Sequence, residues 1–569
     1  MPETQTISAP ATDREMAATI GKNTIFGIVA SGVQILTRLI SVPVVIHYLG
    51  LGGYGIWSII MITAAYMRFG TAGIKSAFQK YVAEATGNGD YEKASKLVST
   101  GSISMLLLSL AGLLPVAFFS YRLARASGVP PEFLSSAASS ITVLAAIYVV
   151  SNFGAAYESI VMGGHRIDLP RKYITVLSVL EAIAVIALLH AGYGLFSMAL
   201  IMGGSELIYI FCCYRMSRRI VPQMHISAAN FTPSLFPELL RFAGSYQMVN
   251  ILELFYRGIV PIAILKFFGD VPAGVYALAV RLTTTVLIGQ DALALPILSG
   301  GTMVFTSGSA ERLRLFFAKS FKVTVAATLP PLAFICAFGT MMIYAWTGVV
   351  DSKLGIAIFL VSLAALPKAV SLLQLVLYRA SGRTLHDNIS QIIRIVMVLI
   401  IAHYGMRLGF SRVLAGMAVA EFVGVIYMIV AMSMTFHVFD LKMLTRDTLR
   451  ITAATVLVVG AGLAAGMISI QLGGSESTNV LVKLLGPEHW NALVSLLGRH
   501  APIHPLVSHL GERGLQRLNA LIKLSEIGIA CLLMAWPALV VTKTISSAER
   551  QSIMDAMVPG RRRVAQVNS

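Results

Sequence analysis

Residues 22–57 read KNTIFGIVASGVQILTRLISVPVVIHYLGLGGYGIW, a long apolar segment with one cation, Arg38, near its middle and a glycine-rich turn at its end. Arginine keeps its proton, so a guanidinium at this depth needs an anion, a carbonyl or water. The pattern recurs at 241–276, RFAGSYQMVNILELFYRGIVPIAILKFFGDVPAGVY. An offset of 219 residues (257 − 38) aligns Arg38 with Arg257, Gly50 with Gly269, Gly55 with Gly274 and Trp57 with Tyr276. The same offset sets Lys22 on Arg241, Gln34 on Glu253 and His47 on Lys266. The chain therefore reads as an internal duplication built on a charged lead helix.

Composition fixes the solvent. Over 569 residues, hydrophobic side chains make up 56% and charged ones 12%, against about 25% charged in soluble domains. Mean hydropathy is +0.76. This is the composition of an all-α polytopic membrane protein. The net charge of +17 follows from Lys and Arg collecting in cytoplasmic loops, and no compact basic domain exists to bind nucleic acid. Cys212, Cys213, Cys336 and Cys531 all lie in apolar runs without zinc-ligand spacing, so they read as packing residues.

A spanning helix needs about 20 mainly apolar residues. About fourteen such spans are expected, near 22–48, 53–70, 97–120, 136–162, 173–190, 194–216, 240–268, 273–300, 320–347, 354–379, 387–406, 411–436, 450–471 and 521–543. Loops after even-numbered spans carry the cations, among them Lys75, Lys80, Lys93, Arg166, Arg218, Arg312, Arg446 and the tail Arg561 to Arg563. That asymmetry places both termini in the cytoplasm. The implied organisation is a tail at 1–21, an N-lobe of six spans at 22–219 and a linker at 220–239. A C-lobe of six spans follows at 240–440, then two further spans within 441–543 and a basic tail at 544–569.

Two connections stand out. Residues 71–97 are polar and helix-prone, broken at Gly87-Asn88-Gly89; they fit either an amphipathic helix on the headgroups or a solvated helical hairpin. The stretch 472–520 would face outside and carries His489, His500, His504 and His509, at spacings that fit no standard metal site. An exported cap and an interfacial helix pair both remain open for it.

Gly50 to Gly55 satisfies G-x-G-x-x-G, but that motif binds dinucleotides only between a strand and a helix. Here it joins two spans, and its repeat partner keeps only the first and last glycines, as a tight turn would. No Walker A motif and no catalytic triad is present, so neither an enzyme nor a bound cofactor is expected.

The chemistry must then lie in charges within the spans, which cost about 2.5–3.5 kcal/mol each at mid-bilayer. Arg38 and Arg257 lead, with Arg281 and Arg394. The acids are Glu181, Glu206, Glu253, Asp291 and Glu421, with Glu158 and Lys368 nearer span ends. Glu253 and Arg257 are spaced to pair along one helix face. Pro43 and Pro261 follow the two lead arginines by four or five residues, and kinks are expected there.

The signatures YLGLGGYGIWSI (48–59) and FFGDVPAGVYALAVRL (267–282) resemble the bacterial polysaccharide-transporter branch of the MOP flippase superfamily, over about residues 20–440. That branch includes Wzx-type O-antigen flippases; lipid II flippases and MATE exporters are relatives. The resemblance implies two six-helix lobes related by a pseudo-twofold axis around a central cavity, which alternates between inward and outward openings. It implies a flippase moving undecaprenyl-diphosphate-linked oligosaccharide from the cytoplasmic to the periplasmic leaflet of the inner membrane, for surface or exopolysaccharide synthesis. Arg38 and Arg257 would engage the diphosphate, with Arg281 a further candidate. The five acids would couple transport to H+ or Na+, and polymerase or export proteins would be partners beside the membrane lipids. Two other readings stay open: a cation-coupled MATE-type drug exporter, and an integral glycosyltransferase or polymerase.

Overall fold

In the computed structural model, residues 13–473 and 512–544 are described, apart from 69–70, 165, 167, 307–309, 381–384, 406, 437–440 and 543. The side chains of some helical residues, including Arg38, Asp291 and Lys368, also lie outside the described set. The described residues are overwhelmingly helical. We number the long helices α1 (Asp13–Ala65), α2 (Thr71–Asn88), α3 (Tyr91–Ala126), α4 (Pro131–Gly163), α5 (Asp168–His190), α6 (Leu195–Ile220) and α7 (Phe236–Phe268). They continue as α8 (Asp270–Thr306), α9 (Ala310–Thr347), α10 (Leu354–Ala380), α11 (Leu385–Gly405), α12 (Phe410–Phe436), α13 (Leu441–Gly473) and α14 (Glu512–Val541).

Each of the fourteen expected spans overlaps one of these helices, the first two lying on the two arms of α1. Among the described residues, ten helices are long and apolar enough to cross a membrane. Large apolar side chains such as Phe118, Leu114, Ile183 and Phe211 point outward, while helix–helix contacts are lined by Ser99, Thr100, Ser102, Ser140 and Ser159. Small residues inside and aliphatic ones outside is the pattern of helices packed in hydrocarbon. The chain is a multi-pass membrane protein.

It divides into two compact units, Met1–Ala277 and Leu278–Ser569. In the first, α4 is central and packs on α1, α2, α3 and α6. Residues 71–97 form the helical hairpin of the second reading, α2 turning into α3, but α2 is packed into the core rather than solvated or laid on headgroups. Its apolar face, Ala77, Phe78, Val82 and Ala85, is buried against Leu97, Val98, Ala156, Ile160, Val221 and Met224, so it is committed to protein rather than to headgroups. The expected break is real: Gly89 takes φ +76 and the Asp90 side chain caps α3 by accepting from the Lys93 amide at 3.2 Å.

In the second unit, α9, α10 and α12 share a core around Phe317, Phe321, Tyr378, Met428 and Met432. Helices α13 and α14 pack together and onto α9 through Phe338, Ile527 and Cys531. Arg517 fastens this pair: its Nη2 donates to the Trp346 carbonyl at 2.5 Å, near the C-terminus of α9. The ends of the 472–520 stretch belong to helices, since α13 runs to Gly473 and α14 begins at Glu512. Its four histidines lie outside the described residues.

Candidate functional site

The repeat seen in the sequence has a backbone counterpart. Gly50 has φ 72 and ψ 171, and Gly269 has φ 92 and ψ −178. This region is essentially restricted to glycine. The break in α1 therefore falls at Gly50, whereas Pro43 and Pro261 lie inside their helices. Proline has a φ compatible with the helix, while the reversal needs a residue without a Cβ. The two turns also touch. A methyl group on Gly55 would lie 2.5 Å from the Gly274 amide nitrogen, and one on Gly274 would lie 2.1 Å from the Leu51 carbonyl oxygen. The G-x-G-x-x-G stretch is thus an interlocking turn.

Below its turn, α7 carries Arg257. Its Nε and Nη2 both donate to Glu253 Oε1, at 3.0 and 2.5 Å, and its side chain remains 62% exposed. Tyr66, just after α1, packs beside this pair: its ring lies 5.4 Å from that of Phe255, and its hydroxyl occupies the space a Cβ on Gly258 would need. Arg38 sits on α1, with its side chain outside the described residues. Arg281 lies on α8 in the second compact unit, half-buried.

The acids separate by environment. Glu421 of α12 is 1% exposed and meets Arg394 of α11 at 3.4 Å; Arg394 also donates to Ser390 Oγ. Glu181 is half-buried on α5, and the Asp291 side chain is outside the described residues. Glu206 of α6 accepts a hydrogen bond from Ser151 of α4. It shares a small polar cavity with Glu158, whose Oε2 lies 2.6 Å from the Lys75 ammonium of α2. Sequence reasoning ranked Glu206 and Glu158 as separate charges and Lys75 as a loop cation. The local signal for the two acids was their polarity inside apolar runs, and Lys75 had none; the residues lie tens of positions apart.

A family model described as polysaccharide biosynthesis protein matches residues 20–294, the stretch that holds both glycine turns, Arg38, Arg257 and the cavity. The solved lipid II flippase MurJ, in an inward closed conformation, superposes with TM-score 0.61 at 16% identity, covering 84% of this chain and 99% of that one. The two proteins share a fold. An inward-facing multidrug resistance MATE family transporter of the MOP superfamily gives TM-score 0.60 at 16% identity over 71% of this chain and 94% of that one. A MOP superfamily transporter from Pyrococcus furiosus gives 0.53 at 19% identity over 74% and 95%. In sequence, the uncharacterized membrane protein EpsK of Bacillus subtilis is 24% identical over 341 residues, 57% of this chain and 66% of that protein, just under two thirds of its length. Helices α13 and α14 follow the twelve spans expected for the two lobes.

Proposed function

We propose that this protein is a flippase that moves an undecaprenyl-diphosphate-linked oligosaccharide across the bacterial inner membrane, by alternating access, for surface or exopolysaccharide synthesis. The observation that carries the reading is Arg257, an arginine within an apolar helix that keeps most of its side chain accessible while bonded to Glu253. The polyprenyl tail of such a substrate can stay in lipid, and only the diphosphate sugar needs a hydrated, cationic path. Arginine holds diphosphate oxygens through paired, charge-assisted hydrogen bonds. Glu253 is a resident carboxylate occupying the place the substrate would take. Arg38, the repeat partner of Arg257, supplies the second cation of the clamp; Arg281 of α8 is a separate candidate for contact with the substrate.

Both termini are cytoplasmic in this reading, and the interlocked glycine turns face the periplasm. Glu181, Glu206, Glu253, Asp291 and Glu421 are the candidates for coupling to H+ or Na+, and polymerase or export proteins are the partners that would take the product onward. Purified protein reconstituted with a fluorescent undecaprenyl-diphosphate oligosaccharide tests the reading. Translocation that depends on Arg257 and Arg38 supports it, and translocation indifferent to both sinks it. A cation-coupled drug exporter is the second reading, favoured by the acids in the spans and the MATE-like fold. It requires saturable efflux of organic cations and predicts that arginine removal leaves efflux intact.

A further inference from the structure

Residues 220–239 read from sequence as a linker, yet the backbone there is fastened to α3. Past the end of α6, Val221 and Met224 are buried in the core shared by α2, α3 and α4, and Arg218 of α6 meets the His225 ring. Hydroxyls of α3 then hold the chain. Ser95 Oγ accepts from the His225 amide at 3.3 Å. Ser99 Oγ accepts from the Ser227 amide at 3.2 Å and donates to the His225 carbonyl at 3.3 Å. Thr100 Oγ1 accepts from the Thr232 amide at 2.9 Å and donates to the Thr232 carbonyl at 3.4 Å. A hydroxyl within a helix commonly turns back on its own carbonyls, as Ser102 does with Val98. Ser99 and Thr100, both fully buried, serve a neighbouring backbone instead. Within the strap, Asn230 Nδ2 donates to the His225 carbonyl at 3.0 Å, and Ser227 caps the short turn Ala228–Asn230. Detaching this segment would break the ladder as a whole and uncover Val221 and Met224.

The fastened end leads directly into α7. Between Thr232 and Phe236, where α7 begins, lies only the 3-10 turn Pro233–Leu235. Pro233 opens that turn and Pro237 sits in the first turn of α7. Proline fixes φ, so the connection is stiff as well as short. Leu235 packs on the same core as Val221. The far end of α7 meets the turn after α3 by close backbone approach, a methyl on Gly128 lying 2.6 Å from Lys266 Cα, which is contact of the van der Waals kind. We propose that residues 221–235 are a fixed pivot: they stay bound to α3, and α7, with Arg257 on it, swings about its strap-held end. The pivot stands on the ladder and the stiff connection; its part in transport rests on the flippase reading above.

Hydrogen exchange of the full-length protein in detergent provides the test. Amides over 225–235 should exchange slowly in the wild type. Thr100→Val keeps the side-chain shape and removes the hydroxyl. It should speed exchange over 228–235 at least about tenfold, and the faster exchange should extend into the first turns of α7 while α4 and α6 keep wild-type rates. Thr100→Ser restores the hydroxyl and should restore slow exchange. Wild-type protection in Thr100→Val, or equal loss in Thr100→Ser, overturns the ladder. Loosening confined to the strap, with α7 unchanged, overturns the pivot. If Thr100→Val also speeds exchange in α4 and α6, its fold is compromised, and Ser95→Ala takes its place, with exchange over 225–227 and the start of α7 expected to rise about threefold. The same preparations, assayed with a fluorescent lipid diphosphate, separate the two claims. Binding by Thr100→Val should match the wild type, while translocation falls at least about threefold. Wild-type translocation by a variant whose strap and α7 are both loose overturns the pivot's part in transport. A wild type that neither binds nor moves the lipid sinks only the flippase reading and leaves the exchange result standing.

Discussion

Gly55 and Gly274, repeat-related residues 219 positions apart (274 − 55), pack backbone against backbone, with a Cβ on Gly55 placed only 2.5 Å from the Gly274 nitrogen. Each follows by five residues a glycine in the same unusual conformation, Gly50 or Gly269. A duplicated sequence has therefore produced a duplicated turn whose two copies meet.

Substitutions at these turns should separate two costs. Gly274→Ala forces a methyl into the Leu51 carbonyl, 2.1 Å away, and should destabilise by about 1–3 kcal/mol through displaced backbone. Gly50→Ala meets open space and should lose about 1–3 kcal/mol from strain at φ 72 alone. Thermal melts should show both losses. Adding Gly55→Ala to Gly274→Ala should cost less than the sum, since either methyl already parts the turns.

Arg257→Ala should reduce polysaccharide export at least tenfold in complemented cells while protein abundance stays near normal. Its exposed i,i+4 pair with Glu253 contributes only about 0.3–0.5 kcal/mol to stability. Arg257→Lys should restore export in part, because one ammonium cannot reproduce the planar fork. Glu253→Gln should preserve or tighten diphosphate binding, and a loss equal to that of Arg257→Ala would count against the clamp.

Arg394 and Glu421 should behave as a structural pair. Both are buried and meet at 3.4 Å, so Glu421→Gln should destabilise by about 3–5 kcal/mol by stranding the guanidinium. The double variant with Arg394→Gln should recover part of that loss in a double-mutant cycle. Gly424→Ala should be similarly damaging, since its methyl would lie 2.4 Å from Arg394 Nε.

Phe78→Ala tests the placement of α2. A side chain 1% exposed in a core cluster should cost about 3–5 kcal/mol on truncation, lowering Tm and protein yield. A helix resting on headgroups would lose no such stability.

Arg517→Ala should loosen α14 from α9. The guanidinium donates to the Trp346 carbonyl at the end of α9, where a cation also favours the helix dipole. The expected loss is about 1–2 kcal/mol, read as easier proteolysis near α14 and a lower Tm.

Much of this molecule was legible along the chain. Hydropathy marked the helices because lipid demands about 20 apolar residues from each crossing, whatever its neighbours do. The offset of 219 residues marked the duplication, and the glycines of 50–55 and 269–274 announced turns that no other residue could form. The Glu253–Arg257 pair was also readable, because four residues along a helix is a fixed distance. What the chain could not disclose is how helices are rotated against one another. Lys75 and Glu158 are 83 residues apart, and neither sequence neighbourhood points to the other. The burial of α2, the meeting of Arg394 with Glu421 and the cavity that gathers Ser151, Glu206 and Tyr209 depend in the same way on crossing geometry. Local periodicity fixed which residues share a face, and only tertiary packing decided what that face would meet.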